Sequence, residues 1–211
     1  MRTSRLALAA LLALGAWPAA AHDGASHPAP TAPEGAATPI VARPAEEERA
    51  RQYFTDLPVV TQDGQELRFF SDVLKDRVVL IGLFFTRCTE ACPLTTAALA
   101  EVQDLLGEDL GRDFALISLT LDPENDTPEV LKSYAEKFHP RDGWLFLTGN
   151  PENVRFITRR LGHTGDDIRA HATQYFLGNV KLARWTKLAP NLPPAAIAEH
   201  FRRMAGYSEA Q

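Results

Sequence analysis

The apolar and polar positions along this chain alternate between continuous apolar runs and segments with helical periodicity. Three runs, at residues 78–85, 114–120 and 144–148, are almost wholly apolar, which predicts strands buried on both faces. Helical patterns follow the runs and close the chain, at residues 94–106, 127–138, 151–161 and 193–204. This alternation predicts an α/β protein with a central mixed sheet flanked by helices.

Two predicted hairpins flank the alternating part. In the first, Asp63-Gly64 separates residues 57–61 from 65–69, and Asp-Gly is a strong signal for a two-residue turn. This hairpin is expected to extend the fold at its N-terminal side. In the second, residues 173–177 and 181–185 are expected to pair across a turn at Gly178-Asn179.

The first 21 residues have the layout of a secretory signal peptide. A positively charged start, residues 1–5, precedes an apolar run from Leu6 to Trp17, and small residues precede a cut after Ala21. The alternative is an uncleaved N-terminal anchor. We therefore expect an exported protein of a bacterial periplasm, with membrane contact only if the N-terminal segment is retained.

The rest of the chain divides by composition into a linker, one domain and a tail. Residues 22–51 are rich in proline and alanine and show no periodicity, which predicts a disordered linker. Residues 52–206 form the expected domain, and 207–211 a short tail. Composition is that of a soluble globular protein, at 45% hydrophobic and 23% charged residues. The net charge of −5 argues against general nucleic-acid binding, which needs a concentrated basic surface.

The two cysteines of the chain, Cys88 and Cys92, lie between the first apolar run and its helix. A helix N-terminus favours negative charge, and a thiolate is the form that attacks disulfides and binds metals. A redox couple, a metal site and a structural disulfide all remain open at this point. A cysteine pair directly after the first βα strand favours a thioredoxin-like fold.

The cysteine spacing is compatible with both redox and metal chemistry. If Cys92 lies in the first helical turn, the two Cβ atoms are about 5–6 Å apart. A disulfide requires about 3.5–4.5 Å, so a small local tightening would form one. Two thiolates suit Cu(I), and an added imidazole also suits Cu(II).

A third metal ligand is therefore sought among the histidines. His171 is the candidate, because in a thioredoxin-like fold the loop before the 173–177 strand packs next to the cysteine turn. The alternative is an ordinary loop histidine. His139, His163 and His200 lie at helix ends or inside a helix.

Charged residues near the cysteines have two interpretations each. Asp122 and Asp126 would contact a partner or a metal, or else they form a turn and cap the next helix. Arg87 and Glu90 would tune the thiol pKa values, or else they are solvated turn residues.

Four separated motifs together resemble the Sco/SenC family, thioredoxin-fold proteins that deliver copper to the CuA centre of cytochrome c oxidase. The first is Phe-Thr-Arg-Cys through Cys-Pro at residues 85–93, and the second is the Ser-Leu-Thr-Leu-Asp-Pro to Asp-Thr-Pro segment at 118–128. Trp-Leu-Phe-Leu-Thr-Gly at 144–149 and the His-Ala-Thr segment at 171–177 complete the set.

The resemblance implies roles for three residues and a set of partners. Cys88, Cys92 and His171 would bind one copper ion, and the cysteines would also cycle between dithiol and disulfide. The implied partners are the CuA domain of cytochrome c oxidase subunit II or a similar copper enzyme, and other copper chaperones. The alternative is a thiol-disulfide reductase acting on CuA-site cysteines or on other exported proteins. A structural disulfide is the third reading.

Overall fold

The computed structural model describes residues 44–164 and 174–206, and its centre is a seven-stranded mixed sheet. The strands are β1 (Pro58–Thr61), β2 (Glu66–Arg68), β3 (Val78–Phe84), β4 (Phe114–Thr120), β5 (Trp144–Thr148), β6 (Tyr175–Asn179) and β7 (Arg184–Leu188). Their order across the sheet is β2-β1-β5-β4-β3-β6-β7. The strand pairs β3–β4 and β4–β5 are parallel and the others are antiparallel, which confirms the predicted mixed sheet.

Helices cover both faces of this sheet. They are α1 (Pro44–Phe54), α2 (Ala91–Leu106), α3 (Pro128–Ala135), α4 (Pro151–Arg160) and α5 (Pro194–Ala205), with a short π-helical turn at Phe69–Leu74. One apolar cluster joins one face of the sheet to α2, α3 and α5, and a second joins the other face to α1, α4 and the π-helical turn. Successive residues of β3 alternate between the clusters, so all seven of its residues are buried.

The sheet topology brings three chain segments to one edge. Strands β3 and β4 are parallel, so the cysteine turn after β3 and the acidic loop after β4 lie at the same end of the sheet. Strand β6 is antiparallel to β3 and begins at that end, with Tyr175 opposite Gly82. A residue with a Cβ at position 82 would meet the Tyr175 ring at 3.3 Å, so glycine admits this close packing.

The N-terminal hairpin forms where it was predicted, with one more residue in its loop. Thr61 and Gln65 close a three-residue loop, in which Gly64 adopts a φ of +78°. A three-residue loop with glycine in the left-handed region is a common hairpin connection. Strand β1 then pairs with β5, so this hairpin extends the sheet as expected.

The predicted turn at Gly178-Asn179 is wrong. Both residues belong to β6, where they pair with Trp185 and Arg184, and the turn lies at residues 180–183. A Cβ at position 178 would lie only 2.3 Å from the Trp185 ring. The glycine therefore provides space for a cross-strand tryptophan and does not form the turn.

The predicted end of the linker is also wrong. Helix α1 covers residues 44–54, so residues 44–51 of the predicted disordered linker are helical. Proline is favoured in the first helical turn, and here it begins the helix. Phe54 anchors α1 in the core against Trp185, with 4.7 Å between ring centroids. The predicted signal peptide (residues 1–21), residues 22–43 of the predicted linker and the predicted 207–211 tail lie outside the described residues.

Candidate metal and redox centre

Helix α2 begins at the cysteine pair without a conventional side-chain cap. Glu90 occupies the N-cap position, but its side chain makes no capping hydrogen bond. The sulfur of Cys88 instead accepts a hydrogen bond from the backbone N–H of Cys92, with 3.3 Å between the two atoms. Both cysteines are free thiols, and Cys92 lies in the first turn of α2 as predicted.

The two thiols differ in exposure. Cys88 is half-buried and Cys92 is fully buried among the apolar residues of the first cluster. The aromatic rings of Phe84, Tyr134 and Phe146 belong to this cluster, and Tyr134 stacks against Phe84 with centroids 5.3 Å apart. A partner therefore meets Cys88 first.

The two thiols also differ in acidity. Burial raises the pKa of Cys88, but hydrogen bonds from the Cys92 side chain and from the backbone of residues 90–92 outweigh it. The pKa therefore lies below its ordinary 9.0. Burial, with the hydrogen bond to Cys88, raises the pKa of Cys92 to about 12. The first proton lost by the pair comes from Cys88, and the helix N-terminus holds the resulting thiolate.

The acidic loop after β4 contacts the cysteine turn directly. Asp126 is fully buried and accepts hydrogen bonds from the backbone and hydroxyl of Thr86 and from the hydroxyl of Thr120. Asp122 accepts from Arg87, with 2.6 Å between Nη2 and Oδ2. The predicted turn at these aspartates is present, since Asp126 N–H donates to the Asp122 carbonyl. The helix cap is Thr127 instead, whose hydroxyl accepts from Val130 N–H.

The sequence interpretation missed the contacts that Asp126 makes with the cysteine turn. Two threonines could have indicated these contacts: Thr86 lies just after β3, and Thr120 lies at the end of β4. Carboxyl ends of adjacent parallel strands meet at one edge, so these hydroxyls face a shared loop. The guanidinium of Arg87 is paired with Asp122, and Glu90 is exposed.

The third predicted ligand, His171, lies outside the described residues. Among residues 44–164 and 174–206, no three histidine, cysteine or acidic side chains are grouped closely enough to hold a metal ion. The soft thiols of Cys88 and Cys92 are the part of the predicted donor set that is described, and their chemistry fits copper. Over the same residues, no helix is both long and apolar enough to cross a membrane.

The described strand that follows His171 in the sequence is β6, and a hydrogen bond joins it to α2. The hydroxyl of Tyr175 donates to the backbone carbonyl of Thr95 at 3.0 Å. Thr95 lies in the first turns of α2, three residues after Cys92. The strand that follows His171 therefore begins against the helix that holds Cys92.

A sequence model of the SCO1/SenC family matches residues 45–206 of this chain. The chain belongs to the SCO1/SenC family. The SCO2-like protein of Rickettsia felis, to which it is similar, is 35% identical over 103 residues, which are 49% of this chain and 48% of that protein. The chain thus spans about half the length of the curated relatives it matches.

Solved structures of Sco proteins share the fold. BsSco, a member of the Sco family of cytochrome c oxidase assembly proteins with an identified disulfide switch, superposes with a TM-score of 0.61 at 25% identity. The alignment covers 74% of this chain and 94% of that one. ScoI of Bradyrhizobium japonicum, solved with copper bound, gives a TM-score of 0.59 at 23% identity, covering 70% and 96%. The predicted thioredoxin-like fold is confirmed.

Proposed function

We propose that this protein is an exported copper metallochaperone that supplies the CuA site of a cytochrome c oxidase. The observation that carries the proposal is the pair of free cysteines at the start of α2, where the Cys92 backbone N–H donates to the Cys88 sulfur and Cys88 is partly open to solvent. Thiolates are preferred donors for Cu(I). Membership of the SCO1/SenC family and the copper-bound structure of the Bradyrhizobium relative support this function.

His171 is proposed as the third donor. Four residues of extended chain span at most about 14 Å, which limits how far His171 can lie from the start of β6. The hydrogen bond from Tyr175 to Thr95 favours such a placement because it holds the start of β6 against α2. An imidazole added to two thiolates lets the same site accept Cu(II) as well as Cu(I).

Copper is the cargo, and it leaves by ligand exchange. Cys88 is the exposed donor, so an incoming cysteine or histidine of the partner replaces it first, and the buried Cys92 is released last. The proposed recipient is the CuA domain of oxidase subunit II or a similar copper enzyme. A second copper chaperone is the proposed source.

Copper competition tests this function. The reduced protein is titrated with Cu(I) against a moderate chelator, in wild type, His171→Ala and the control His200→Ala. His200 is suitable as a control because, among the described residues, the hydrogen bonds of its ring are made to Arg203 of the same helix. We expect tight one-to-one binding by wild type and control. In His171→Ala we expect a loss of affinity of at least about 10–100-fold, which is the range for removing a group that only supports a metal ligand. If the wild-type protein releases Cu(I) to the chelator, the proposal is wrong.

A second candidate function is thiol-disulfide reduction, which the unequal thiols favour. The thiolate of Cys88 would attack a client disulfide, forming a mixed disulfide and releasing one client thiol. The thiolate of Cys92 would then attack Cys88, releasing the second client thiol. The client gains two electrons and two protons, and this protein ends as the Cys88–Cys92 disulfide. Reduction of an oxidised CuA-domain peptide, lost in Cys88→Ser, tests it.

The proposed place of action is the bacterial periplasm. The basis is the sequence of residues 1–21. If this segment is removed, the mass of the exported protein corresponds to a chain that begins at His22. If it is retained, the intact mass is found in the membrane fraction, and the protein acts as an anchored chaperone.

A further inference from the structure

The turn that carries Cys88 is held from a neighbouring loop. Residues 85–88 form a tight turn closed by a hydrogen bond from Cys88 N–H to the Phe85 carbonyl, at 3.2 Å. Thr86 and Arg87 are its two central residues. Each is bonded to a carboxylate of the loop after β4, Thr86 to Asp126 and Arg87 to Asp122.

Asp126 is the stronger of these two anchors. It is fully buried, and three donor groups converge on its two oxygens. Oδ1 lies 2.5 Å from the Thr86 hydroxyl, and Oδ2 lies 2.5 Å from the Thr120 hydroxyl and 3.2 Å from the Thr86 backbone nitrogen. Because Thr120 ends β4, the carboxylate joins a rigid strand to the start of the cysteine turn.

The Arg87–Asp122 pair acts at the next residue of the turn. Two guanidinium nitrogens contact Oδ2 of Asp122, at 3.0 and 2.6 Å. The Arg87 side chain is 62% exposed while that of Asp122 is 7% exposed. An exposed ion pair contributes little, so this contact supports the anchor without replacing it.

We propose that Asp126 is a positioning residue that sets the separation of the Cys88 and Cys92 thiols. By holding Thr86, it keeps the Cys88 sulfur over the N-terminus of α2, 3.3 Å from the backbone nitrogen of Cys92. A fixed turn gives each thiol a high effective concentration at the other. The inference rests on the proposed function only in taking Cys88 and Cys92 as the working pair.

A merely structural role for Asp126 predicts something different. An anchor that only stabilises the fold contributes equally to the dithiol and disulfide forms, so its loss leaves their equilibrium unchanged. A positioning residue contributes more to the form that needs the two sulfurs close together. The equilibrium between dithiol and disulfide therefore separates the two roles, whatever happens to overall stability.

The test equilibrates the metal-free protein with reduced and oxidised glutathione. In this exchange Cys88 and Cys92 lose two electrons and two protons as their disulfide forms, and one oxidised glutathione becomes two reduced ones. In Asp126→Asn, one of the two acceptor oxygens becomes an amide nitrogen. We expect the equilibrium constant for disulfide formation to fall about tenfold, which corresponds to about 30 mV.

Asp56→Asn is the matched control. Asp56 also accepts a backbone N–H and a hydroxyl from a single residue, Ser71, both at 2.8 Å. Its neighbours Phe54 and Leu57 pack in the second cluster, on the opposite face of the sheet from the thiols. This variant should lower stability and leave the glutathione equilibrium within about twofold of wild type. If Asp126→Asn behaves like Asp56→Asn, the positioning role is wrong.

Substitutions of Thr86 provide a second test of the positioning role of Asp126. Thr86→Val removes one donor to Asp126 and keeps the branched shape, and Thr86→Ser restores the hydroxyl. We expect the equilibrium constant to fall in Thr86→Val and to recover in Thr86→Ser, which decides the case even if Asp126→Asn does not fold. An unchanged constant in Thr86→Val overturns the proposal. Because no metal is present, failure of copper binding does not affect this outcome.

Discussion

The backbone N–H of Cys92 donates to the sulfur of Cys88, 3.3 Å away, so the first cysteine caps the helix in which the second one lies. The usual cap position, Glu90, makes no side-chain hydrogen bond, which leaves the role to the sulfur. The position of the Cys88 sulfur and the geometry of the helix start are therefore coupled. Any event that draws the Cys88 sulfur away from this hydrogen bond also weakens the start of α2.

This coupling predicts selective alkylation of Cys88 in the reduced, metal-free protein. Only the thiolate reacts, and the pKa of Cys88 is lowered while that of Cys92 is raised to about 12. The rate at Cys88 should rise with pH around a midpoint below the ordinary pKa of 9.0, while Cys92 stays almost unmodified at pH 8. Peptide mass spectrometry after iodoacetamide measures both rates. Equal rates at the two cysteines would contradict this assignment, and Cys88→Ser serves as the control.

Ser118→Ala is expected to destabilise the protein by about 1–3 kcal/mol. The buried indole N–H of Trp144 donates to the Ser118 hydroxyl at 3.1 Å, and alanine leaves this donor without a partner. Urea unfolding followed by fluorescence measures the loss. Ser133→Ala, at an exposed position of α3, is the control and should change stability by less than about 0.5 kcal/mol.

Gly178→Ala is expected to cost about 1–3 kcal/mol, because its new methyl group would overlap the Trp185 ring. Thermal unfolding measures the change. Ala183→Gly, in the adjoining turn, is the control, since Ala183 has a φ of +49° that glycine adopts without strain. Equal stability of Gly178→Ala and wild type would mean that the Trp185 side chain can adopt another conformation without cost.

The lowered pKa of Asp72 predicts that the free energy of unfolding decreases in acid. Hydrogen bonds from the side chain and backbone of Arg68 lower its pKa to about 2 from 3.8. A lowered pKa means that the contribution is complete above about pH 4 and is lost as the pH falls toward 2. The stability difference between wild type and Asp72→Asn should be constant from pH 7 to 5 and should disappear near pH 2. A difference that persists at pH 2 would have a non-ionic origin.

Local patterns predicted most of the fold because they act within one element. The runs at β3 and β4 are buried at every position, since helices cover both faces, and the helical pattern from residue 127 predicted the start of α3 to within one residue. The pair Asp63-Gly64 placed the first hairpin. Each of these signals depends on neighbours in sequence.

The errors arose where a residue is determined by a distant partner. Glycine followed by asparagine is typical of a turn, which led to the wrong assignment of Gly178. The reason for a glycine in this strand is the ring of Trp185 on the neighbouring strand. Likewise, Asp126 in a loop suggests a cap, and its bonds to Thr86, forty residues earlier, follow from strand pairing. Helix α1 is polar enough to resemble a linker until Phe54 is seen against the core. Within the site, the thiol pair was predictable, and His171 stays a prediction.

The outermost strands of the described sheet determine how readily one copy of the chain pairs with another. Among the described strands, β2 is only three residues long, and it carries Glu66 and Arg68. At the other border, β7 presents Arg184 and Lys187 at exposed positions. Short, charged edge strands are poor templates for pairing with the strands of another copy. On the proposed route of export, a chain that folds beside many copies of itself thereby gains protection against aggregation before its thiols have bound copper.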